Sequence, residues 1–281
     1  MTINYEKQRA LGYAGLALLR NFLTGKPVTV LPILQEIASI SSGEEDTIDD
    51  DQQAMAYDIE PGYAIWSKTY DTGTNILIQL EEPVVKSILQ NFPPGDTLDA
   101  ACGTGRYSLF LKSLGHRVTG VDISEDMLQL ARKKDKTIRF MRGDLNALPF
   151  ADGLFDLVVC GLALHYADNL KSTINELARI VHPGGHIVIS VVHPLLVALG
   201  AHAEFSDESG RRNFIKENVH WLSVYIHAFQ NASFAIIQCE EPTITKKEIL
   251  VLQHGSKLSK KTVFQALEGL PAAVIWVLKK T

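Results

Sequence analysis

Apolar positions recur at two different periods along this chain, and the change of period divides it. Leu11, Leu16, Leu19 and Phe22, then Leu31, Leu34 and Ile37, fall at helical spacing with Gly25 and Pro27 between them, which predicts two helices within residues 1–40. Glu44, Glu45, Asp46, Asp49, Asp50 and Asp51 follow as an acidic block. It reads as a solvated linker, since the spaced glycine and closing glutamate of a calcium loop are missing. Tyr57, Tyr63, Trp66 and Tyr70 then make an aromatic segment too polar for a core helix.

From residue 96 short apolar runs alternate with amphipathic ones. Strands are expected at 97–100, 117–121, 138–141, 155–160 and 186–192. Helices are expected up to Leu114, over 125–132 behind Ser124 as N-cap, and over 170–181, ended by Pro183-Gly184-Gly185. Farther on the pattern predicts a helix at 217–231, a strand at 234–239, a helix near 259–268 and a last strand at 273–278. Repeated βα units imply a parallel sheet covered on both faces. The expected fold is therefore α/β: Rossmann-like, doubly wound, with a mainly parallel seven-stranded sheet and an N-terminal helical extension.

Composition narrows the function classes. The 281 residues are 46% apolar, enough for one full core with attachments. Lys+Arg 27 against Asp+Glu 32 gives a net charge of −5, without the basic excess that a dedicated nucleic-acid binder needs. Cys102, Cys160 and Cys239 lie in or beside apolar runs, in no metal-ligand spacing, so reduced thiols in a cytoplasmic protein without a metal site are expected. The apolar run at 10–19 ends at Arg20 with no small-residue cleavage site after it, and it falls far short of the roughly 20 residues that span a bilayer. It reads as the buried face of a helix, and no membrane span is expected.

In an open parallel sheet, ligands bind along the carboxyl ends of the strands. The sequence places there Asp99-Ala100-Ala101-Cys102-Gly103-Thr104-Gly105, then Asp122, Asp144, the stretch 161–166 and His193-Pro194. Gly103 and Gly105 permit a tight turn and a close backbone approach. Asp122, 17 residues past Gly105, suits a grip on ribose hydroxyls. Two cofactor classes use this layout, nicotinamide dinucleotides and S-adenosylmethionine. A dinucleotide turn wants Gly or Ala at position 108, where this chain has Ser108, and Asp99 would repel a pyrophosphate while welcoming an ammonium group.

The motifs LDAACGTGR (98–106), Val121-Asp122-Ile123-Ser124 with Met127-Leu128, GDLNALPFADGLFDLVVC (143–160) and ELARIVHPGGHIVIS (176–190) resemble, in order, those of the class I S-adenosylmethionine-dependent methyltransferases. The likeness is to the small-molecule type that includes the ubiquinone and menaquinone enzymes. It implies that Asp99, Gly103 and Gly105 hold the methionine end, Asp122 the ribose, and Asp144 with the Leu145 backbone the adenine amine, with Ala101, Ile123 and Cys160 also at the cofactor. Ala101 stands where the family has its first glycine, a one-methyl change the turn is expected to tolerate. The resemblance divides the chain into a helical extension and lid at 1–70 and a methyltransferase domain at 71–281, with a cofactor core at about 96–192 and a variable acceptor-side region at 193–233.

The stretch 161–166 lacks the Asn/Asp-Pro-Pro-aromatic signature of enzymes that methylate nucleic-acid bases. Together with the acidic charge, this favours a small-molecule acceptor and no nucleic acid, with a homodimer as the assembly to test. Tyr63, Trp66 and Tyr70 resemble the family's aromatic lid, and His220 falls within acceptor reach. For an acceptor protonated at neutral pH, His193 or His165 is the expected base, because an imidazole pKa near 6.5 suits the task. Two rivals stay open: a non-catalytic S-adenosylmethionine-binding module and a nicotinamide-dependent oxidoreductase.

Overall fold

The computed structural model describes residues 5–23, 30–42, 55–72, 75–207, 209–252 and 258–281. The acidic block at 44–51, Gly25, Pro27 and the Phe22 side chain lie outside the described residues. In chain order come α1 (Tyr5–Leu23), α2 (Val30–Ser42), β1 (Met55–Tyr57), α3 (Ile59–Trp66), α4 (Ile76–Leu89), β2 (Asp96–Ala100), α5 (Arg106–Ser113) and β3 (Arg117–Asp122). Next are α6 (Glu125–Lys134), β4 (Arg139–Arg142), β5 (Phe155–Gly161), α7 (Leu170–Ile180), β6 (Val181–Val192), α8 (Pro194–Ala198) and β7 (Ala203–Ser206). The chain closes with β8 (Arg212–Ile215), α9 (Leu222–Asn231), β9 (Phe234–Glu240), α10 (Lys246–Leu252), α11 (Lys260–Leu267) and β10 (Ala273–Lys280).

The main sheet has seven strands in the order β4-β3-β2-β5-β6-β10-β9. Neighbours from β4 to β6 pair in parallel, and β10 runs antiparallel between β6 and β9. This is the expected doubly wound α/β sheet. Its period-2 alternation sorts the core onto two faces. Leu98, Ala100 and Val158 pack with Leu177 and Phe229 of α7 and α9, while Leu157, Val159 and Val188 pack with Leu89 and Leu111 of α4 and α5. Each large side chain buried this way contributes about 1.5–3 kcal/mol. Strand order reverses between β3 and β5 around β2, and that switch point opens the crevice where ligands bind.

Contacts divide the chain differently from a cut at residue 70. The larger unit comprises Ala56–Asp207, Asn213–Pro242 and Ala272–Thr281; the smaller comprises Met1–Met55, Glu208–Arg212 and Thr243–Pro271. Residues 56–70 fall in the larger unit because Tyr57, Ile59, Tyr63, Ile65 and Trp66 pack around Tyr166, Phe205 and Ile215. In the smaller unit α1 packs on α11 and α2, with Ala10, Ala14 and Ala17 buried. Arg20 donates to the carbonyls of Ala266 (2.9 Å) and Glu268 (2.7 Å), a cation at the carboxyl end of α11.

Several elements depart from the pattern reading, among them α3, which forms within the aromatic segment read as too polar for a core helix, and α8. α4 forms where no element is expected, despite Pro83, because Asn75 caps it by accepting from Ile78 N at 3.2 Å. A three-stranded sheet, β1-β8-β7, and the short α10 are likewise unexpected. α9 begins at Leu222 rather than at 217, since Glu217 and Asn218 are engaged elsewhere.

Candidate functional site

The turn from β2 into α5 carries three left-handed residues, Ala101 (φ 57°), Gly103 (φ 53°) and Gly105 (φ 83°). In that region a side chain costs about 1–2 kcal/mol, so Ala101 holds strain that a glycine would not. A Cβ on Gly103 would find only the Met127 methyl, at 3.6 Å, which leaves that side free to border a ligand. Gly105 does other work than expected. A Cβ there would press on Phe140 (3.2 Å) and Ala131 (3.3 Å), so this glycine lets α5 start against β4 and α6 rather than letting a ligand approach.

A cavity opens beside this turn. Ala101, Gly103, Asp122, Ile123, Asp144 and Leu145 border it, all six of them expected site residues. Asp122 accepts from Gly103 N (2.7 Å, Oδ2) and from Ser124 N (2.9 Å, Oδ1). Burial raises its pKa and these amides oppose the rise. Each oxygen keeps lone-pair capacity for a further donor, as a pair of ribose hydroxyls requires. Asp144 Oδ1 is occupied by the backbone and side-chain amides of Asn146, at 2.8 and 3.0 Å.

Besides Gly105, two other expected cofactor residues do not border the cavity. Asp99 is 1% exposed and accepts the Ser108 hydroxyl at 2.6 Å, with burial pushing its pKa up to about 6. Cys160 is fully buried in the core, and burial holds its thiol well above the usual range. Strand pleat decides this. Position 160 sits one residue before the strand end at Gly161, which does border the cavity.

Tyr63, Tyr70 and Tyr166 form a further part of the cavity wall. The Tyr63 and Tyr166 hydroxyls are 3.2 Å apart and hydrogen-bonded. Burial raises the pKa of all three phenols, that of Tyr70 to about 12, so they are neutral groups at physiological pH. Asp71 ties this wall to the glycine turn, accepting from the Thr104 hydroxyl at 2.8 Å and pairing with Lys134 at 2.7 Å. Trp66 is absent from the cavity wall. Its ring stacks on Phe205, centroids 5.8 Å apart and planes 16° from parallel.

The expected bases are placed otherwise. His193 Nδ1 accepts from Leu195 N at 3.2 Å, making it the N-cap of α8, and Nε2 lies 3.1 Å from Glu241 Oε1. With Nδ1 accepting, the ring proton sits on Nε2 and faces Glu241, so neither nitrogen is free to take a proton from the cavity. His165 is 3% exposed and burial pushes its pKa down to about 3, too weak a base for neutral pH. His220 Nε2 is bonded to Ala167 O at 2.7 Å. None of the three borders the cavity.

The sequence places 161–166 at the ligand edge but assigns Tyr166 no role, although its position just past the fourth strand of the core is a signal for one. Sequence reasoning also missed a buried strut. Glu81 of α4, fully buried, takes Arg106 Nη1 at 3.0 Å and the Ser190 hydroxyl, and Ser190 Oγ accepts from Leu162 N at 3.1 Å. Leu162 borders the cavity with φ 52°, so the strut backs a strained stretch of its wall. No sequence signal links residues this far apart. Among the described residues no helix is long and apolar enough to cross a membrane, and no group of three or more His, Cys, Asp or Glu is arranged to hold a metal.

Residues 98–189 match the methyltransferase domain family. Malonyl-(acyl-carrier protein) O-methyltransferase of Erwinia pyrifoliae is 38% identical over 117 residues, 41% of this chain and 45% of that protein. The chain thus spans less than half the length of this curated relative. Among solved structures, an S-adenosylmethionine-dependent methyltransferase from Mesorhizobium loti superposes with a TM-score of 0.56 at 23% identity, over 73% of this chain and 100% of the other. A geranyl diphosphate methyltransferase solved with sinefungin gives 0.54 at 16% identity, over 71% of this chain and 78% of the other. At these identities the two structures speak for the fold alone.

Proposed function

We propose that the chain is a class I S-adenosylmethionine-dependent methyltransferase, a reading supported by the methyltransferase-domain match at 98–189 and the O-methyltransferase relatives, and that the larger unit binds S-adenosylmethionine in this cavity and transfers its methyl group to a small-molecule acceptor. The observation that carries this reading is the Asp122 carboxylate, fixed by the Gly103 and Ser124 amides at the mouth of the glycine turn. When bound, the donor supplies an electrophilic methyl carbon on a sulfonium.

The chain's own residues then have distinct tasks. Asp122 would take the ribose hydroxyls, Ile123 and Leu145 would flank the adenine, and Asp144 with the Leu145 backbone would take its amine. Gly103 presents open backbone to the methionine end, and Asp99 contributes negative charge from behind the turn. Tyr63, Tyr70 and Tyr166 exclude water and orient the acceptor, so residues 59–70 act as its cover. Aligning the two reactants is itself a large part of catalysis. The relatives' name as O-methyltransferases favours an oxygen acceptor. The reading further takes the protein as cytoplasmic, acting on a small molecule rather than nucleic acid, with a homodimer as the assembly to test.

Calorimetric titration with S-adenosylhomocysteine, paired with transfer of labelled methyl from S-adenosylmethionine into a metabolite extract, tests this. Binding with label incorporation supports the enzyme. Binding without any label leaves a non-catalytic module instead, and no binding sinks both.

A further inference from the structure

One buried carboxylate behind the cavity is tied to two stretches that border it. Glu81 of α4 is fully buried, and both its oxygens are engaged: Oε2 accepts from Arg106 Nη1 at 3.0 Å and Oε1 from the Ser190 hydroxyl. Arg106 opens α5 directly after Gly105, so the first arm holds the end of the glycine turn. Along the second arm, Ser190 of β6 takes the Leu162 N–H on its Oγ at 3.1 Å and on its carbonyl at 2.8 Å. Leu162 has φ 52°, a conformation that residues other than glycine hold only where their surroundings impose it. Gly161 rests on the same support. A Cβ there would sit 2.5 Å from the Tyr107 ring and 3.6 Å from Glu81 Oε1, and the Arg106 guanidinium stacks on that ring at 4.1 Å.

Sheet order fixes which part of the cavity these arms frame. From β4 through β3 and β2 to β5, the strand ends present Asp144, Asp122, the turn at 101–103 and then 161–164. Asp99 pairs with Val159, so two residues farther on Ala101 and Gly161 leave neighbouring strands side by side. With adenine at Asp144 and ribose at Asp122, the sulfonium would come to the β2 turn. The next stretch along the edge, 161–164, would then face its methyl group. Stability does not account for Glu81. An ion pair taken out of water loses much of its attraction to desolvation, and apolar side chains of like volume serve a fold as well or better. What its directional bonds supply is a fixed spacing between the elements they join.

We propose that Glu81 is a positioning residue for methyl transfer, holding the glycine turn and the Leu162 stretch at the separation in which the donor's methyl meets the acceptor. This rests on the methyl-transfer reading above. Glu81 touches neither reactant. It acts through Arg106 on the donor side and through Ser190 on the acceptor side. A displacement of about 1 Å between reacting groups costs about 10²-fold in rate, so loss of the strut reaches the chemistry while the Asp122 and Asp144 contacts, on other strands, stay in place.

Two variants of the full chain test this. Ser190→Ala cuts the Leu162 arm and leaves Glu81 with Arg106. Glu81→Met combined with Arg106→Met replaces the ion pair by apolar side chains, so neither charge is left buried alone, and Glu82 keeps Lys86 as its partner at 2.5 Å. Transfer of labelled methyl into a fixed metabolite extract is followed as S-adenosylmethionine is varied, each variant being assayed below its own unfolding transition. The limiting rate should fall about 10-fold in Ser190→Ala and about 10²-fold in the double variant, with the KM for S-adenosylmethionine within about 3-fold of wild type. A limiting rate equal to wild type in either variant overturns the proposal. So does a KM that rises as far as the rate falls, which would make the strut a support of donor binding alone. Should the double variant fail to fold, Ser190→Ala decides on the same two readings. No label from the wild-type chain refutes the methyl-transfer reading itself, and this inference with it; label from wild type and undiminished variants refutes this inference alone.

Discussion

Replacing Asp99 with Asn should make the free protein more stable at neutral pH. Asp99 is 1% exposed, and the Ser108 hydroxyl at 2.6 Å offsets only part of the cost of burying its charge. The result is a carboxyl pushed from an ordinary 3.8 up to about 6. An acid whose pKa is higher in the folded chain binds its proton more tightly there than in the unfolded one. Its contribution is therefore most favourable below pH 4 and is lost as pH rises from about 4 to about 6, after which it is level. The rise corresponds to a loss of about 3 kcal/mol by neutral pH, an upper bound for what an uncharged isostere can recover. Asparagine keeps an oxygen for Ser108 but brings an amide N–H₂ that costs about 1–3 kcal/mol if unpartnered, so the net gain at pH 7.5 should be at most about 2 kcal/mol. Urea unfolding of both proteins from pH 4 to pH 8 reads this directly as a difference curve. The variant should gain on wild type between pH 4 and pH 6 and hold that gain above. A difference independent of pH, or a deficit that deepens towards neutrality, would refute the reasoning.

Three other outcomes follow from the geometry. Asp122→Ala should weaken S-adenosylhomocysteine binding by about 1.5–3 kcal/mol, roughly 10- to 150-fold by calorimetry, and unchanged affinity would remove Asp122 from the site. Ala101→Gly relieves left-handed strain of about 1–2 kcal/mol against about 0.5–1 kcal/mol of added freedom in the unfolded chain. The variant should therefore melt at or slightly above the wild-type temperature, and a clear drop would show that the methyl packs usefully. His193→Gln should cost about 1 kcal/mol in denaturant unfolding through the lost cap on α8, yet leave the acidic limb of the transfer pH profile in place; losing that limb would restore the histidine as a base.

The sequence by itself determined the sheet, the edge on which the candidate site lies and most of the residues that border its cavity. These depend on local periodicity and strand-end position, so Gly103, Asp122, Ile123, Asp144 and Leu145 could be placed without coordinates. Tertiary structure decided which side chains face the cavity and which serve the fold. Gly105 is needed for Phe140 and Ala131, His193 for the cap of α8 and for Glu241, and Trp66 for Phe205. It also made the long-range pairs in and behind the cavity wall, Tyr63 with Tyr166 across 103 residues and Glu81 with Ser190 across 109. The physical reason is one of range. A hydrogen bond or a burial cost depends on atoms a few ångströms apart, and over such separations along the chain only the packed fold settles which atoms those are.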